Sequence, residues 1–409
     1  MNLTKSWYSD SETEHIVAES VIGLESIHNF KPEKLVTPSQ IKILLSKLKS
    51  RKAPGIDDLT NYLLKNISQK GLVLLTKIFN GCLILGYYPS SWKIAKMIPI
   101  KKPAKSDSCP KSYRPISLLP SLGKLFESFG FRRNHSTTQQ LARVSEQITH
   151  GLNQKKCTGM VLLDIEKAFD TVWHEGLLHK LLINNVPTGL VKLVQSYLVN
   201  RSFSVAIGEH RSSLKPIPAG VPQGSILGPY LFSLYINDIP KRPHTQLAIY
   251  ADDTASYTTF EDGDLVIGRL QLSIDLLSDF FTKWKLKLNS NKTECIMFSR
   301  RRSVPSKKIK INDHIIPWSR QVKYLGTILD DKVNWVKNTN NLILKGVKAI
   351  NALRPIFNRK SKISSSTKMK IYSMLVRPCL TYAAPVWCSI PESKYNKLQT
   401  IQNKAIKIA

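Results

Sequence analysis

The chain has 409 residues, 42% of them hydrophobic, and a formal charge of +31, which describes a globular protein of two or three domains and excludes wholesale disorder. Self-repulsion on that scale calls for a polyanionic partner, either nucleic acid or an anionic membrane surface. The longest mostly apolar run, 71–86, is interrupted by Lys77 and too short to span a bilayer, and the N-terminus shows no basic-then-apolar signal pattern, so nucleic acid is left.

Residues 1–35 hold three basic and six acidic side chains and little periodicity, and are expected to form a poorly ordered lead-in. Structure is predicted to begin at Thr37-Pro38-Ser39-Gln40, where a Thr with Gln three residues on forms a capping box and Pro takes the first helical position. Ile41, Leu44, Leu45 and Leu48 follow at helical spacing until the turn signal Lys52-Ala53-Pro54-Gly55. Two more helices are predicted over 59–67 and 70–85. Between Trp92 and Leu119, short β-favouring runs flank a loop carrying Lys101, Lys102, Lys105, Lys111 and Arg114, a hairpin suited to presenting cations to an anionic ligand or simply a solvated loop.

Gly159 to Leu163 reads as a continuous apolar strand with Asp164 at its carboxyl end, where ligand and catalytic groups tend to sit in mixed sheets. A helix is expected to take over with Ala168, Phe169, Val172 and Trp173 on its apolar side, and with Asp170 in an ion pair or cap. His174, Glu175 and His179 give the spacing HExxxH, which turns the two histidines about 140° apart on a helix and excludes a shared metal. The Gly- and Pro-rich stretch 219–229, around Gln223 and Gly224, suits close backbone approach to a ligand. It is no P-loop, because no Gly-Lys-Ser/Thr follows.

In Leu247 to Tyr257, LAIYADDTASY, two β-favouring runs meet at Asp252 and Asp253. Adjacent carboxylates at a hairpin tip are most often only a solvated loop. The functional alternative is that they hold magnesium, a hard cation bound by one or two carboxylates plus substrate phosphates. An amphipathic helix over 265–287, a loop through Lys292, a strand at Cys295–Phe298, a basic connector from Arg300 to Lys310 and a hairpin around Asn312-Asp313 follow. Val322 to Ile328 is read as a single short strand, and everything from about 337 as helical. The last 79 residues carry fifteen Lys/Arg against two acids, and would lie well along a phosphate backbone. The cysteines Cys82, Cys109, Cys157, Cys295, Cys379 and Cys388 show neither a CxxC pair nor zinc spacing, and free thiols in a reducing compartment are expected.

Three acids on two strands, an upstream basic loop, a Gly-Gln loop between them and a basic tail suit two-metal phosphoryl transfer, in which paired Mg²⁺ ions act on the attacking and leaving oxygens while Lys/Arg clamp the phosphates. LLDIEKAFDTVWH, AGVPQGSILGP, YADD, KLNSNKTECIMF and KYLGTILD occur in this order. Together they resemble the reverse transcriptases of non-LTR (LINE-type) retrotransposons, in particular the jockey group, over residues 36–409. The resemblance implies an α+β right-hand polymerase: N-terminal helices and fingers over 36–128, a palm of antiparallel sheet plus helices over 129–330, and an incomplete basic helical thumb over 331–409. It implies RNA-directed DNA polymerase activity on an RNA template, a DNA primer or target and deoxynucleoside triphosphates. Two Mg²⁺ ions, for which Mn²⁺ can substitute, are implied as cofactors.

By the same resemblance Asp164 and Asp252 hold both ions, Asp253 completes the cluster and the carbonyl of Ile165 adds a ligand. Phe169 matches the steric gate against a ribose 2′-OH, although a core aromatic is the alternative. Gln223 and Gly224 match the loop that positions template and nucleotide. Arg114, with Lys101 or Lys102, matches the cations on the triphosphate, Lys292 the lysine near the leaving pyrophosphate, and Tyr324-Leu325-Gly326 the primer grip. An intracellular protein of cytoplasm and nucleus is implied, acting at chromosomal DNA, with no membrane association.

Two departures are expected to matter. Family members continue from SLLPxxxKLFE through a long arm to an FGFR segment, whereas here Phe126-Glu127 runs almost directly into Ser128-Phe129-Gly130-Phe131-Arg132, as if a helix and loop were deleted. On the same resemblance an upstream endonuclease and further thumb sequence are expected to be absent, the pattern of a truncated copy. Two other readings stay open: a remnant that binds nucleic acid without polymerising, and a maturase-like RNA-binding cofactor, for which no appended RNA-binding region is visible.

Overall fold

The computed structural model describes residues 11–27, 30, 32, 34–102, 106, 108–109, 112–128, 136–300, 307–358 and 361–408. Lys105 and Lys111 of the basic loop, Phe129 to Arg132 at the expected deletion, and 301–306 of the basic connector lie outside them. The described residues begin with helix α1 (Ser11–Ser26), which corrects the poorly ordered lead-in expected over that part of 1–35. Thr13, Val17 and Leu24 are its buried residues, a helical spacing hidden among acids, and docking supplies what local pattern did not. Ser20 Oγ lies 2.8 Å from His179 Nδ1, and Lys285 Nζ lies 2.6 Å from Glu14 Oε1.

Helix α2 (Pro38–Lys47) starts in the predicted capping box, Thr37 and Gln40 each bonding the other's backbone N–H, and ends before the expected turn. α3 (Asn61–Lys65) and α4 (Gln69–Leu85) follow, each capped by a hydroxyl, Thr60 and Ser68. The predicted hairpin is β1 (Ile94–Lys101) with β2 (Tyr113–Leu118), and α5 (Ser121–Glu127) comes next. Further on are α6 (Thr137–Asn153), β3 (Cys157–Leu163), α7 (His174–Ile183), α8 (Thr188–Leu198), β4 (Arg201–Ile207), β5 (His210–Arg211), β6 (Lys215–Ile217) and α9 (Gly228–Tyr235). The helix expected directly after Asp164 is replaced by one 3₁₀ turn at Ala168–Asp170. The carbonyls of Phe169 and Val172 accept instead from the N–H groups of Val221 and Gly220, at 2.7 and 2.9 Å, so they are spent on the Gly-rich loop.

The remaining elements are β7 (Gln246–Tyr250), β8 (Asp253–Phe260), α10 (Gly263–Lys283), β9 (Glu294–Phe298), β10 (Ile309–Ile311), β11 (His314–Ile316), β12 (Trp318–Ser319), β13 (Gln321–Tyr324), β14 (Thr327–Asp330), α11 (Val336–Phe357), α12 (Ser365–Ile371), α13 (Arg377–Thr381), α14 (Ala384–Trp387) and α15 (Glu392–Ile408). The single strand expected at 322–328 is a hairpin, because Leu325 (φ 44°) and Gly326 (φ 82°) both take the left-handed conformation that suits a two-residue turn. Buried Asp330 ends it, accepting from the N–H groups of Lys332, Asn334 and Trp335 just ahead of α11. The final acid of KYLGTILD is thus a structural anchor.

The α+β expectation holds. The chain divides into two compact units, each discontinuous in sequence: 1–133, 165–240 and 279–287 form one, and 134–164, 241–278 and 288–409 the other. They do not coincide with the spans 36–128, 129–330 and 331–409. The first unit has a sheet in the order β2-β1-β4, with β5 and β6 both paired to β4 and only β1–β4 parallel. The second has β12-β9-β3-β8-β7, antiparallel except for β12–β9. Strand β3 is central there, which is why its sequence is apolar throughout rather than alternating. One core in this unit joins α6 (Leu141, Val144, Ile148), the sheet (Met160, Tyr257, Phe298) and the C-terminal helices (Leu342, Ile350, Leu380).

Lys93, Lys180 and Arg201 are buried cations of the first unit. Lys180 is 1% exposed, with its ammonium 2.6 Å from both Asp238 Oδ1 and the Tyr235 carbonyl and 3.7 Å from the Trp284 ring centre. Burial pushes its pKa down to about 8 from the ordinary 10.5. Because the unfolded chain holds that proton more tightly, the penalty is full below about pH 8, and stability rises as pH climbs toward 10.5. Lys180→Met should therefore equal or exceed the unaltered chain in urea midpoint at pH 7.5 and lose that lead at pH 10.5. A Met variant clearly less stable at pH 7.5 would show instead that the aromatic contacts and Asp238 outweigh desolvation.

Candidate active site

The carboxylates converge through strand register. Strands β7 and β8 pair as far as Tyr250 opposite Asp253, with only Ala251 and Asp252 in the turn. Ala251 has φ 54°, a conformation that an L side chain adopts at a cost of about 1–2 kcal/mol. On the other side of β8, Leu163 pairs with Thr254. One further residue along this antiparallel ladder brings Asp164 level with Asp253, where facing Cα atoms lie about 4.5–5.5 Å apart. Asp164, Asp252 and Asp253 thus gather at one end of the second unit's sheet.

Their mutual repulsion is visible on Asp253. Its carboxyl is raised above the ordinary range by loss of surrounding water, then by the charges of Asp252 and Asp164. Among the described residues the cation in contact is Lys292, whose Nζ lies 3.3 Å from Asp164 Oδ2. The backbone places it: the N–H of Asn289 donates to the Asp164 carbonyl at 2.8 Å, and that of Lys292 to the Asn289 carbonyl at 3.1 Å. Lys292 is well exposed and Asp164 half-buried, so the pair adds little to stability.

Among the described residues no three His, Cys, Asp or Glu side chains are closed into a metal shell. The donor set nevertheless fits a hard divalent ion: all oxygen, mutually repulsive, and on the solvent side of the hairpin. Magnesium takes only one or two such carboxylates and completes its shell with water and phosphate.

The primer-grip candidates lie in the same unit. Tyr324 is buried, its hydroxyl donating to the Ala248 carbonyl of β7 at 3.5 Å, and burial pushes its pKa up to about 12. Only the Leu325–Gly326 turn stands beyond it. Arg143 of α6 donates to the Leu247 carbonyl at 2.7 Å and braces the same strand, a contact that sequence reasoning did not anticipate.

The first unit gathers another set. The Phe169 ring packs on Phe232 of α9 with centroids 4.9 Å apart. Among the described residues Asp170 takes no ion pair or cap, and its Oδ1 accepts from Gln223 Nε2 at 2.7 Å. Gly220 (φ 90°) has no room for a side chain, since a Cβ would lie 2.7 Å from the Asp170 backbone. His174 Nε2 lies 2.7 Å from the Gly220 carbonyl, so the two histidines of HExxxH have separate partners. Past Gly224, Glu127 Oε2 accepts from the N–H groups of Ile226 and Leu227 at 2.6 and 3.1 Å, a buried acid whose apolar setting (Leu125-Phe126-Glu127) was its only sequence signal. On the β1–β2 hairpin Arg114 faces Ile100, and Lys101 faces Tyr113. Strand alternation therefore sends Arg114 and Lys101 to opposite faces, and Lys102 is the lysine in phase with Arg114. Ile165, the first residue after Asp164, is buried.

Comparison with known proteins agrees with these motifs. A family model described as reverse transcriptase (RNA-dependent DNA polymerase) matches residues 100–329. The RNA-directed DNA polymerases from mobile element jockey of Drosophila melanogaster and Drosophila funebris are 34% and 35% identical, the match covering 92% of this chain and 44% of each of those proteins. A probable RNA-directed DNA polymerase from transposon BS of Drosophila melanogaster is 32% identical over 91% of this chain and 44% of its own length. The chain thus spans less than half the length of these relatives. Among the described residues no helix is long and apolar enough to cross a membrane.

Proposed function

The chain belongs to the reverse transcriptase (RNA-dependent DNA polymerase) family, and on that premise we propose that it is the polymerase of a jockey-like non-LTR element, extending a DNA primer on an RNA template. The observation that carries the reading is the register that sets Asp164 level with Asp253 beside the Asp252 turn, with Lys292 against Asp164. In the reaction the primer 3′-hydroxyl oxygen bonds to the α-phosphorus of a deoxynucleoside triphosphate as the bond to pyrophosphate breaks. Asp164 and Asp252 would hold two Mg²⁺ ions, with Asp253 and the Ile165 carbonyl completing the site. Such ions, when bound, lower the cost of charge on the attacking and leaving oxygens.

The chain's own groups do the rest. Asp164, at the end of a rigid central strand, and Asp252, in a two-residue turn, are held in place before substrate arrives, which spares reorganisation. Lys292, against Asp164, is proposed to balance the charge of the departing pyrophosphate. Arg114 and Lys102, with Lys101 the weaker candidate, are proposed for the triphosphate. The Gln223–Gly224 loop is proposed for template and incoming base, Phe169 as the gate against ribose, and Leu325–Gly326 for the primer end. On this reading residues 36–128 supply the N-terminal helices and fingers, the β3–β8–β7 sheet belongs to the palm and the basic helices after 331 form thumb.

Single-nucleotide addition tests the reading. A DNA primer annealed to four RNA templates differing at the first unpaired base, with Mg²⁺ and one nucleotide at a time, should gain only the complementary deoxynucleotide. Addition that ignores the template, or none from a chain that still binds the duplex, would contradict it. Phe169→Val should then raise ribonucleotide use by about 10–100-fold relative to deoxynucleotide. An unchanged ratio in a variant that melts like the unaltered chain would leave Phe169 as a core aromatic on Phe232.

A further inference from the structure

The turn between β13 and β14 is held from outside its own hairpin. Leu325, with φ 44°, is a strained non-glycine residue in the left-handed region, so the turn needs contacts that favour it. Tyr382 supplies one. Its Oη donates to the Leu325 carbonyl at 2.7 Å and lies 3.3 Å from Thr137 Oγ1 at the start of α6. Its ring lies against the turn, since a Cβ built on Gly326 would meet Tyr382 Cε1 at 3.2 Å. Tyr382 is itself fixed where α13 gives way to α14: Ala383 has φ 53°, and buried Trp387 donates through Nε1 to the Tyr382 carbonyl at 2.7 Å.

On its other side the same turn is continuous with Tyr324, whose hydroxyl reaches the Ala248 carbonyl on the strand that leads to Asp252. We propose that Tyr382 is a positioning residue that fixes the Leu325–Gly326 turn relative to the Asp252 hairpin, and through it places the primer 3′ end. The inference rests on the proposed reading of Tyr324-Leu325-Gly326 as the primer grip. A structural role alone does not account for the hydroxyl. Tyr382 is 36% exposed, and a phenylalanine would pack against Gly326 equally well. What only the hydroxyl can do is hold the Leu325 carbonyl and reach Thr137 Oγ1.

The test compares the unaltered chain with Tyr382→Phe and Tyr382→Leu in single-turnover addition to a primed RNA template, together with thermal melting. Tyr382→Phe should melt like the unaltered chain and keep the same half-saturating deoxynucleotide concentration. Its maximal rate should fall by about five- to tenfold, the size of one lost hydrogen bond. The preference for a matched over a mismatched primer terminus should shrink with it, because a loosely held terminus is misplaced in both. Tyr382→Leu should lose more of the rate. A Tyr382→Phe protein with unchanged maximal rate and unchanged terminus preference would overturn the inference alone. No addition by the unaltered chain would overturn the polymerase reading, and this inference with it.

Discussion

Asp252→Asn is expected to lower nucleotide addition by at least about a thousandfold while RNA affinity stays within about twofold. Asp252 is exposed in a two-residue turn and Asn has nearly the same shape, so β7, β8 and their register should persist. What disappears is one charge of the group that raises the Asp253 carboxyl, and with it a ligand for the divalent ions the family implies. RNA binding draws on the whole surface of a chain carrying +31, and removing one negative charge from it does not weaken attraction to phosphate. Single-turnover addition and filter binding at two salt concentrations measure the two effects separately. Loss of both together would mean that the carboxylate pair supports the fold rather than the chemistry.

Glu127→Ala is expected to cost about 3–5 kcal/mol of stability, the usual penalty for removing one partner from a buried charged network. Glu127 is 3% exposed. Its carboxylate satisfies the N–H groups of Ile226 and Leu227, accepts from the Tyr88 hydroxyl at 3.4 Å, and lies near Arg201, itself 2% exposed. Alanine leaves two backbone donors and a buried guanidinium without their anion, right at the start of α9 and two residues after Gly224. Burial raises the carboxyl above its ordinary range, so the neutral form is tolerated and Glu127→Gln should cost clearly less than Ala. Urea denaturation of the two variants checks this. Equal losses would place the effect in side-chain shape rather than in the anion.

The residues that sequence reading placed well were those governed by local rules. The Thr37–Gln40 box, the LAIYADDTASY hairpin and the apolar strand ending at Asp164 each depend on period, caps or turns within about ten residues. The misses depended on partners far along the chain. α1 forms on Val17 and Leu24 because His179 and Lys285 are there to meet Ser20 and Glu14, more than 150 residues on. The stretch 168–173 has an apolar spacing that suits a helix, yet its carbonyls go to Gly220 and Val221. Tyr324-Leu325-Gly326 looked like strand interior because Leu325 gives no local hint of a positive φ. The roles of Glu127, Asp170 and Tyr382 were illegible for the same reason: each acts on a loop that the sequence does not place beside it.

The Asp164, Asp252 and Asp253 carboxylates are proposed to form the metal-dependent centre of this chain. A Mg²⁺ titration of primer extension on an RNA template tests it most directly, with the unaltered chain, Asp164→Asn and Asp252→Asn side by side and RNA binding measured in each. Extension should be absent under chelation, rise more steeply than first order in Mg²⁺, and be missing from both variants at every concentration while RNA stays bound. Extension that survives chelation, or that either variant performs at the unaltered rate, would contradict the account.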